Sequence, residues 1–276
     1  MTELAGAAKW IGDGLLAFAV LLVVGPFAWI AMSSFKYQIA IYTGDWIFEP
    51  TLTNYLEVLF SRRSDFLTNI RNSLAVACLS TAIVLAIGTL AAYSLHRFSW
   101  SRWLQNALLG WTLAFHAIPV VTLIGPWYIA FRQLGLYDTQ AALVLTHVTI
   151  NLPMTIWLMM AFFREIPHEL EEAALIDGCD PLQAFWRVSL PLAVPGLIAA
   201  GVLAFIFSWN EFAVALSLTS RETATVPVAI ARFAQQYEVQ HSEMAAASVT
   251  STIPAILLMF FGQRFVVRGL TLGSIK

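Results

Sequence analysis

The sequence has 276 residues, 59% of them hydrophobic and 12% charged, with a net charge of −2 and a mean hydropathy of +0.73. Soluble domains carry about 25% charged residues, so water is not the main solvent of this chain, and so small a net charge gives no case for nucleic acid or an anionic surface as partner. The two cysteines, Cys78 in an apolar run and Cys179 in an acidic stretch, suggest neither a disulfide framework nor a zinc site.

A bilayer core of about 30 Å needs about 20 apolar residues of helix. Six stretches free of Asp, Glu, Lys and Arg meet that length: 14–35, 72–95, 103–131, 139–163, 188–210 and 244–263. The first follows Lys9, is longer than a signal-peptide core and shows no small-residue cleavage site after it, so it is predicted to span. The third is longer than a span requires and holds Pro119 and Pro126, which predict a kink or an interfacial portion. The expectation is an all-α membrane protein of six transmembrane helices in a single domain over 1–276.

Inside and beside these runs, the polar groups are few. His116 precedes Pro119, Asn151 precedes Pro153, and Ser208, Trp209, Asn210 and Glu211 cluster where the fifth run ends. His116, Asn151, Trp209, Asn210 and Glu211 are the candidates for a solute path, Trp and Asn being a sensible pair for a sugar's apolar face and hydroxyls. Interhelical hydrogen bonding is the other reading of the same residues. His116 and His147 are the only ionisable groups inside the runs, and each reads more readily as a packing residue than as a proton relay.

The connections carry the rest. Segment 36–71 holds "PTLTNYLEVLF", where Thr53 or Asn54 is expected to cap a short helix with Leu56, Leu59 and Phe60 on one side. Segment 211–243 is amphipathic in places and polar around 235–242. With the N-terminus inside, the inner side carries eight Lys and Arg and the outer seven, a slight preference for that orientation by the positive-inside rule.

The stretch "EEAALIDGCDPLQAFWRVSLP", 171–191, is out of place in so apolar a chain. Pro167 suits a first helical position, and Glu169, Glu171 and Glu172 place acid in the opening turns where the helix dipole favours it. Leu170, Ala173 and Ala174 share one face, narrow enough for close approach. Gly178 supplies a stop, and Asp180-Pro181 restarts the chain as cap and first residue of a second helix over about 181–188. The product is a helix-turn-helix elbow at the membrane face, about 167–189, well shaped to receive a push.

This stretch resembles the EAA loop of ABC-importer permeases: Glu172-Ala173-Ala174, then Asp177-Gly178, then Leu190-Pro191, with Cys179 where the family usually has alanine. "RNSLAVACLSTAIVLAIGTLAAYSLHRFSW" (71–100), "PTLTNYLEVL" (50–59), "SWNEF" (208–212) and the tail "RGLTLGSIK" (268–276) are similar to the carbohydrate-uptake branch, the maltose-type permeases. The resemblance implies a cytoplasmic loop, hence cytoplasmic termini, in the bacterial inner membrane. It implies as partners a second homologous permease, two ATP-binding subunits and a periplasmic or lipid-anchored solute-binding protein, besides membrane lipid. Coupling to the ATPase is then expected at Glu171, Glu172, Ala173, Ala174, Asp177, Gly178, Cys179, Leu190 and Pro191.

The energy is expected to come from those partners. None of Lys9, Lys36 and Lys276 follows a glycine as a phosphate-cradling loop requires, so ATP and Mg are expected in the partner subunits, with no cofactor, metal or catalytic residue in this chain. A proton-coupled carrier or channel remains the alternative, disfavoured by the lack of carboxylates within the runs.

Overall fold

The computed structural model describes residues 2–234 and 239–271. The polar stretch around 235–242 is covered only in part, and the tail beyond Thr271 lies outside the described residues. In chain order the helices are α1 (Thr2–Ser33), α2 (Gln38–Tyr42), α3 (Thr53–Phe60), α4 (Phe66–Arg97), α5 (Arg102–Ala117), α6 (Val120–Gln133), α7 (Gln140–Glu165), α8 (His168–Ile176), α9 (Pro181–Ala184), α10 (Leu190–Asn210), α11 (Ala213–Leu218), α12 (Val226–Ala231) and α13 (His241–Thr271), with a π-turn at Phe185–Ser189. Among the described residues no strand forms beyond one isolated bridge between Ala234 and Val239. Five helical stretches are long and apolar enough to cross a membrane, and α5 with α6 makes a sixth if that bent pair is one span.

The predicted third span is therefore not one rod. α5 and α6 meet at 98°, because Ile118 precedes Pro119 and takes an extended conformation, ψ 125°, as a residue before proline prefers. Pro126 lies within α6 without ending it.

The chain divides into two compact units, 1–67 with 229–253 and 68–228 with 254–276. In the first, α1 is apolar on all sides and its side chains from Gly12 to Ile30 are almost all exposed, as suits a helix covered by lipid or by another subunit. Lys36, just past its end, is buried. Its Nζ donates to the Asp45 carbonyl at 2.6 Å and sits 5.1 Å from the Trp29 ring centroid and 4.8 Å from that of Phe48, a cation held by aromatic faces. The helix predicted at "PTLTNYLEVL" forms as α3, but its capping differs from expectation. Thr51, not Thr53 or Asn54, accepts from the Thr53 N–H at 3.1 Å. Asn54 is buried and donates to the carbonyls of Ser34 at 2.8 Å and Lys36 at 2.9 Å. α3 faces inward through Asn54 and Val58, leaving Leu56 and Phe60 exposed.

The second unit is built around α7, buried along much of its length between α4 and α10. Lipid tails are as apolar as leucine, so such helices associate through close packing rather than by escaping water. The contacts are accordingly tight at small residues: a Cβ at Gly88 of α4 would lie 2.7 Å from Thr155 of α7, and one at Gly196 of α10 would run into the Phe162 ring. Two clusters occupy the two ends of α7. Tyr93, Met159, Phe163, Ile166, Phe185 and Ala193 fill one; Val76, Phe131, Leu143, Val214, Leu218 and Val228 fill the other.

Candidate functional site

At its Glu165 end, α7 stops and α8 begins one residue after Pro167, with Glu169 and Glu171 in its first turn. Its termination is hydrogen-bonded throughout. The Gly178 N–H donates to the Leu175 carbonyl at 3.1 Å and the Cys179 N–H to the Ala174 carbonyl at 3.0 Å, the paired bonds of a Schellman motif. That geometry puts Gly178 at φ +91°, a region open to glycine and costly to side chains. Nothing lies within 4 Å of where its Cβ would be, so backbone conformation, and not crowding, demands the glycine. Asp180 then caps the second arm, accepting from the Gln183 N–H at 2.8 Å while Gln183 Oε1 accepts from the Asp180 N–H at 3.3 Å, a reciprocal capping box.

The second arm departs from the expected separate helix over 181–188. α9 passes into the π-turn and on into α10 without a break, the residues at each junction being helical. Pro191, which has no N–H to give a continuous helix, follows directly on the π-turn, where the Leu190 N–H already reaches back to the Phe185 carbonyl and the regular α register is interrupted. The elbow's second arm is thus the leading end of a span.

Glu171, expected on the surface offered to the ATPase, is instead turned into its own chain. Arg97 Nε donates to its Oε1 at 3.0 Å, Tyr93 OH to its Oε2 at 3.2 Å, and Ser189 Oγ to its Oε1. Arg97 Nη2 also donates to the Ile166 carbonyl at 3.0 Å, satisfying an orphan acceptor at the end of α7. The Arg97 and Glu171 side chains are 3% and 11% exposed. Removing either partner from such a pair costs about 3–5 kcal/mol, because the other charge is left buried.

The other elbow residues lie outside. Glu172, Ala173, Asp177, Gly178 and Pro191 are exposed; Ala174, Cys179 and Leu190 are half-buried. Around them stand large apolar side chains, Ile176 at 86% exposure, Leu182 at 63% and Trp186 at 57%, with Leu170 and Leu175 also exposed. So many exposed large apolar side chains within 170–186, among the exposed acids Glu172, Asp177 and Asp180, mark the segment as a candidate interaction surface.

The candidate path residues are not brought together as one lining. His116 is exposed at the end of α5, beside the break. Asn151 is buried and donates to the His147 carbonyl of its own helix at 2.9 Å. Trp209 is buried, its ring stacked on Phe205 with centroids 5.8 Å apart. Asn210 donates to the Ile206 carbonyl at 2.9 Å. Glu211 accepts from the N–H groups of Val214 at 2.9 Å and Ala215 at 3.0 Å, closing the start of α11. What does converge is a buried polar chain: Ser80 Oγ and Ser208 Oγ are 3.1 Å apart, Ser208 Oγ is 2.6 Å from His147 Nδ1, and His147 Nε2 is 3.7 Å from Glu211 Oε2. His147 is thus a hydrogen-bonded interior residue, while its link through Ser208 to Ser80 has no signal in the sequence, Ser80 being one of several hydroxyl residues in its run. Among the described residues, no three His, Cys, Asp or Glu side chains are grouped to hold a metal ion.

The comparisons with known proteins agree with this architecture. Residues 84–272 match the family model described as "Binding-protein-dependent transport system inner membrane component". The trehalose transport system permease protein SugB of Mycobacterium tuberculosis is 39% identical over 263 residues, covering 92% of this chain and 94% of that one. The trehalose/maltose transport system permease protein MalG of Thermococcus litoralis is 33% identical over 269 residues, covering 96% and 95%. Among solved structures, a chain of a bacterial ABC transporter involved in the import of the acidic polysaccharide alginate superposes with a TM-score of 0.80 at 23% identity, over 94% of this chain and 96% of that one. With the family model covering well over half of the chain and such relatives covering nearly all of it, the protein belongs to the binding-protein-dependent inner membrane components, the multi-pass permease subunits of ABC importers.

Proposed function

We propose that this permease moves a sugar or sugar derivative inward by alternating access, driven by ATP hydrolysis in separate subunits that dock on the elbow at 167–189. The carrying observation is the elbow itself: a glycine-terminated helix exposing Ile176 and a following arm exposing Leu182 and Trp186, beside the exposed Glu172 and Ala173 and the half-buried Ala174. The names of relatives that carry trehalose, maltose or sulfoquinovosyl glycerol support the solute class. The assembly comprises a second homologous permease, two ATP-binding subunits with ATP and Mg, and an external solute-binding protein. N- and C-termini and the elbow are cytoplasmic. Glu172, Ala173, Ala174, Asp177 and Gly178 meet the ATPase cleft, with Cys179, Leu190 and Pro191 at its margin, and His116, Trp209, Asn210 and Glu211 lie nearest the solute.

The test is to tag the chain in its native host, solubilise the membranes gently and identify what copurifies. An ATP-binding subunit and a second permease are expected, and the associated binding protein is then screened against trehalose, maltose and sulfoquinovosyl glycerol. A chain that comes out alone, and takes up solute in a manner abolished by uncouplers, would overturn the importer reading in favour of a proton-coupled carrier.

A further inference from the structure

We propose that Glu171 is the positioning residue that makes the elbow and the long helices move as one body, and that it makes no contact with the ATPase. The inference rests on the elbow being the ATPase docking site and adds the internal linkage behind it. α8 has nine residues, too few to hold a helix unaided in water. It is joined to the rest through a proline at one end and a left-handed glycine at the other. With those two joints alone, a push on Ile176 would turn α8 and leave the spans where they are.

Glu171 removes that freedom. Its carboxylate takes Tyr93 and Arg97 from α4 and Ser189 from the π-turn that opens α10, and the same guanidinium holds the last carbonyl of the α7 segment at Ile166. Three spanning helices and the elbow therefore meet at one ion pair. Arginine's planar fork has fixed donor directions, and the site is nearly closed to water, so neither salt nor solvent substitutes for a displaced partner. Glu172, one residue on, is exposed. Two adjacent glutamates of equal charge thus divide two tasks, one facing the motor and one facing the spans.

The complete complex in lipid nanodiscs tests this without any solute. Spin labels at Glu169→Cys and Leu90→Cys, both exposed positions, report the distance from α8 to α4 in a Cys78→Ser, Cys179→Ala background. With Glu171 intact, one narrow distribution is expected, the same without nucleotide and in the vanadate-trapped state. In Glu171→Ala the distribution should be at least about twice as broad without nucleotide and should shift on trapping, while ATP hydrolysis stays within about twofold. A narrow, unshifted distribution in that variant overturns the proposal, as does loss of the ATP-binding subunit from the purified complex, which would return Glu171 to the docking surface. Should Glu171→Ala fail to insert, Glu171→Gln and Arg97→Lys are expected to broaden the distribution in the same direction by less, and no broadening in either overturns it. If the intact complex contains no ATP-binding subunit, the importer reading fails first. The nucleotide-free widths still decide whether Glu171 holds α8 to α4.

Discussion

The two ends of α7 solve the same problem in opposite ways. Each must fix a connecting segment to the ends of the long helices, and each uses a carboxylate to do so. At the Gln140 end, Asp138 accepts from Ser220 N–H at 2.7 Å and from the hydroxyls of Ser220 and Thr223. Asn72 donates to the carbonyls of Glu222 at 2.7 Å and Ala224 at 3.1 Å, and Asn69 to Ala224 at 3.0 Å. Leu218, Ala224, Val226 and Val228 are buried there, while Leu134 and Leu216 are exposed. At the Glu165 end the carboxylate is balanced by arginine, and the large apolar side chains point outward. The first end is tied down by bonds within the chain, while the second leaves Ile176, Leu182 and Trp186 exposed.

Matched substitutions break that contrast most sharply. Ile176→Asp should leave the chain's abundance in the membrane unchanged while copurified ATP-binding subunit falls roughly thirtyfold, the cost of losing an interface anchor worth about 2 kcal/mol. Leu218→Asp should do the reverse: abundance collapses, because a charge is forced into a fully closed site. Equal loss of abundance in both would show that the elbow patch packs within this chain.

Next in size is Gly178→Val, which strains the turn by about 1–3 kcal/mol and should uncouple ATP hydrolysis from transport without abolishing assembly. Because the space around Gly178 is open, Gly178→Asn, which tolerates a positive φ, should retain most of the transport. Failure of both alike would mean that the partner, and not the backbone, excludes a side chain there.

The smallest effects belong to the other end. Asp138→Asn keeps a residue tolerant of the φ of 60° found there but weakens the charge-assisted bonds, and should lower thermal stability in detergent by about 1 kcal/mol with ATPase association unaffected. Burial pushes the Asp138 carboxyl up, but the hydroxyls of Ser220 and Thr223 and the Ser220 N–H outweigh it and hold it below its usual 3.8. A depressed carboxyl stabilises the fold above its unfolded value and loses that contribution as pH falls through the folded one. The stability gap between the wild-type chain and Asp138→Asn should therefore be constant near neutral pH and close below pH 3.8. A gap that persists there would assign the effect to shape, not charge.

What is legible in the sequence follows from which forces are local. The helicity of the long apolar runs, the Gly178 turn and the Asp180 cap are decided by residues within a few positions of one another: the runs lie in helices, the third of them broken before Pro119, and the turn and the cap stand at Gly178 and Asp180. The inward turn of Glu171 is not legible in that way. Neighbouring helix positions differ by about 100° of rotation, and which of two adjacent glutamates faces inward depends on where Arg97, at the end of a different helix, comes to lie. The arginine closing a long apolar run is the available hint. The merging of α9 into α10 is hidden by Pro191, which looks like a boundary but follows directly on the π-turn within one continuous helix. The chain from Ser80 to Glu211 joins three separate segments, α4, α7 and the end of α10, and no spacing in the sequence links them.

The π-turn at Phe185–Ser189 has a geometrical consequence for the whole lever from Pro181 to Trp209, which at 29 residues is about 43 Å long. The Leu190 N–H bonds back to the Phe185 carbonyl, five residues before it, one residue wider than an α-helical turn. Were those five residues to wind as ordinary α-helix, everything before Phe185 would swing by tens of degrees about the axis, with no change in composition, charge or length. The azimuth of α9 about the axis of α10 is therefore stored in the hydrogen-bond register of a single turn.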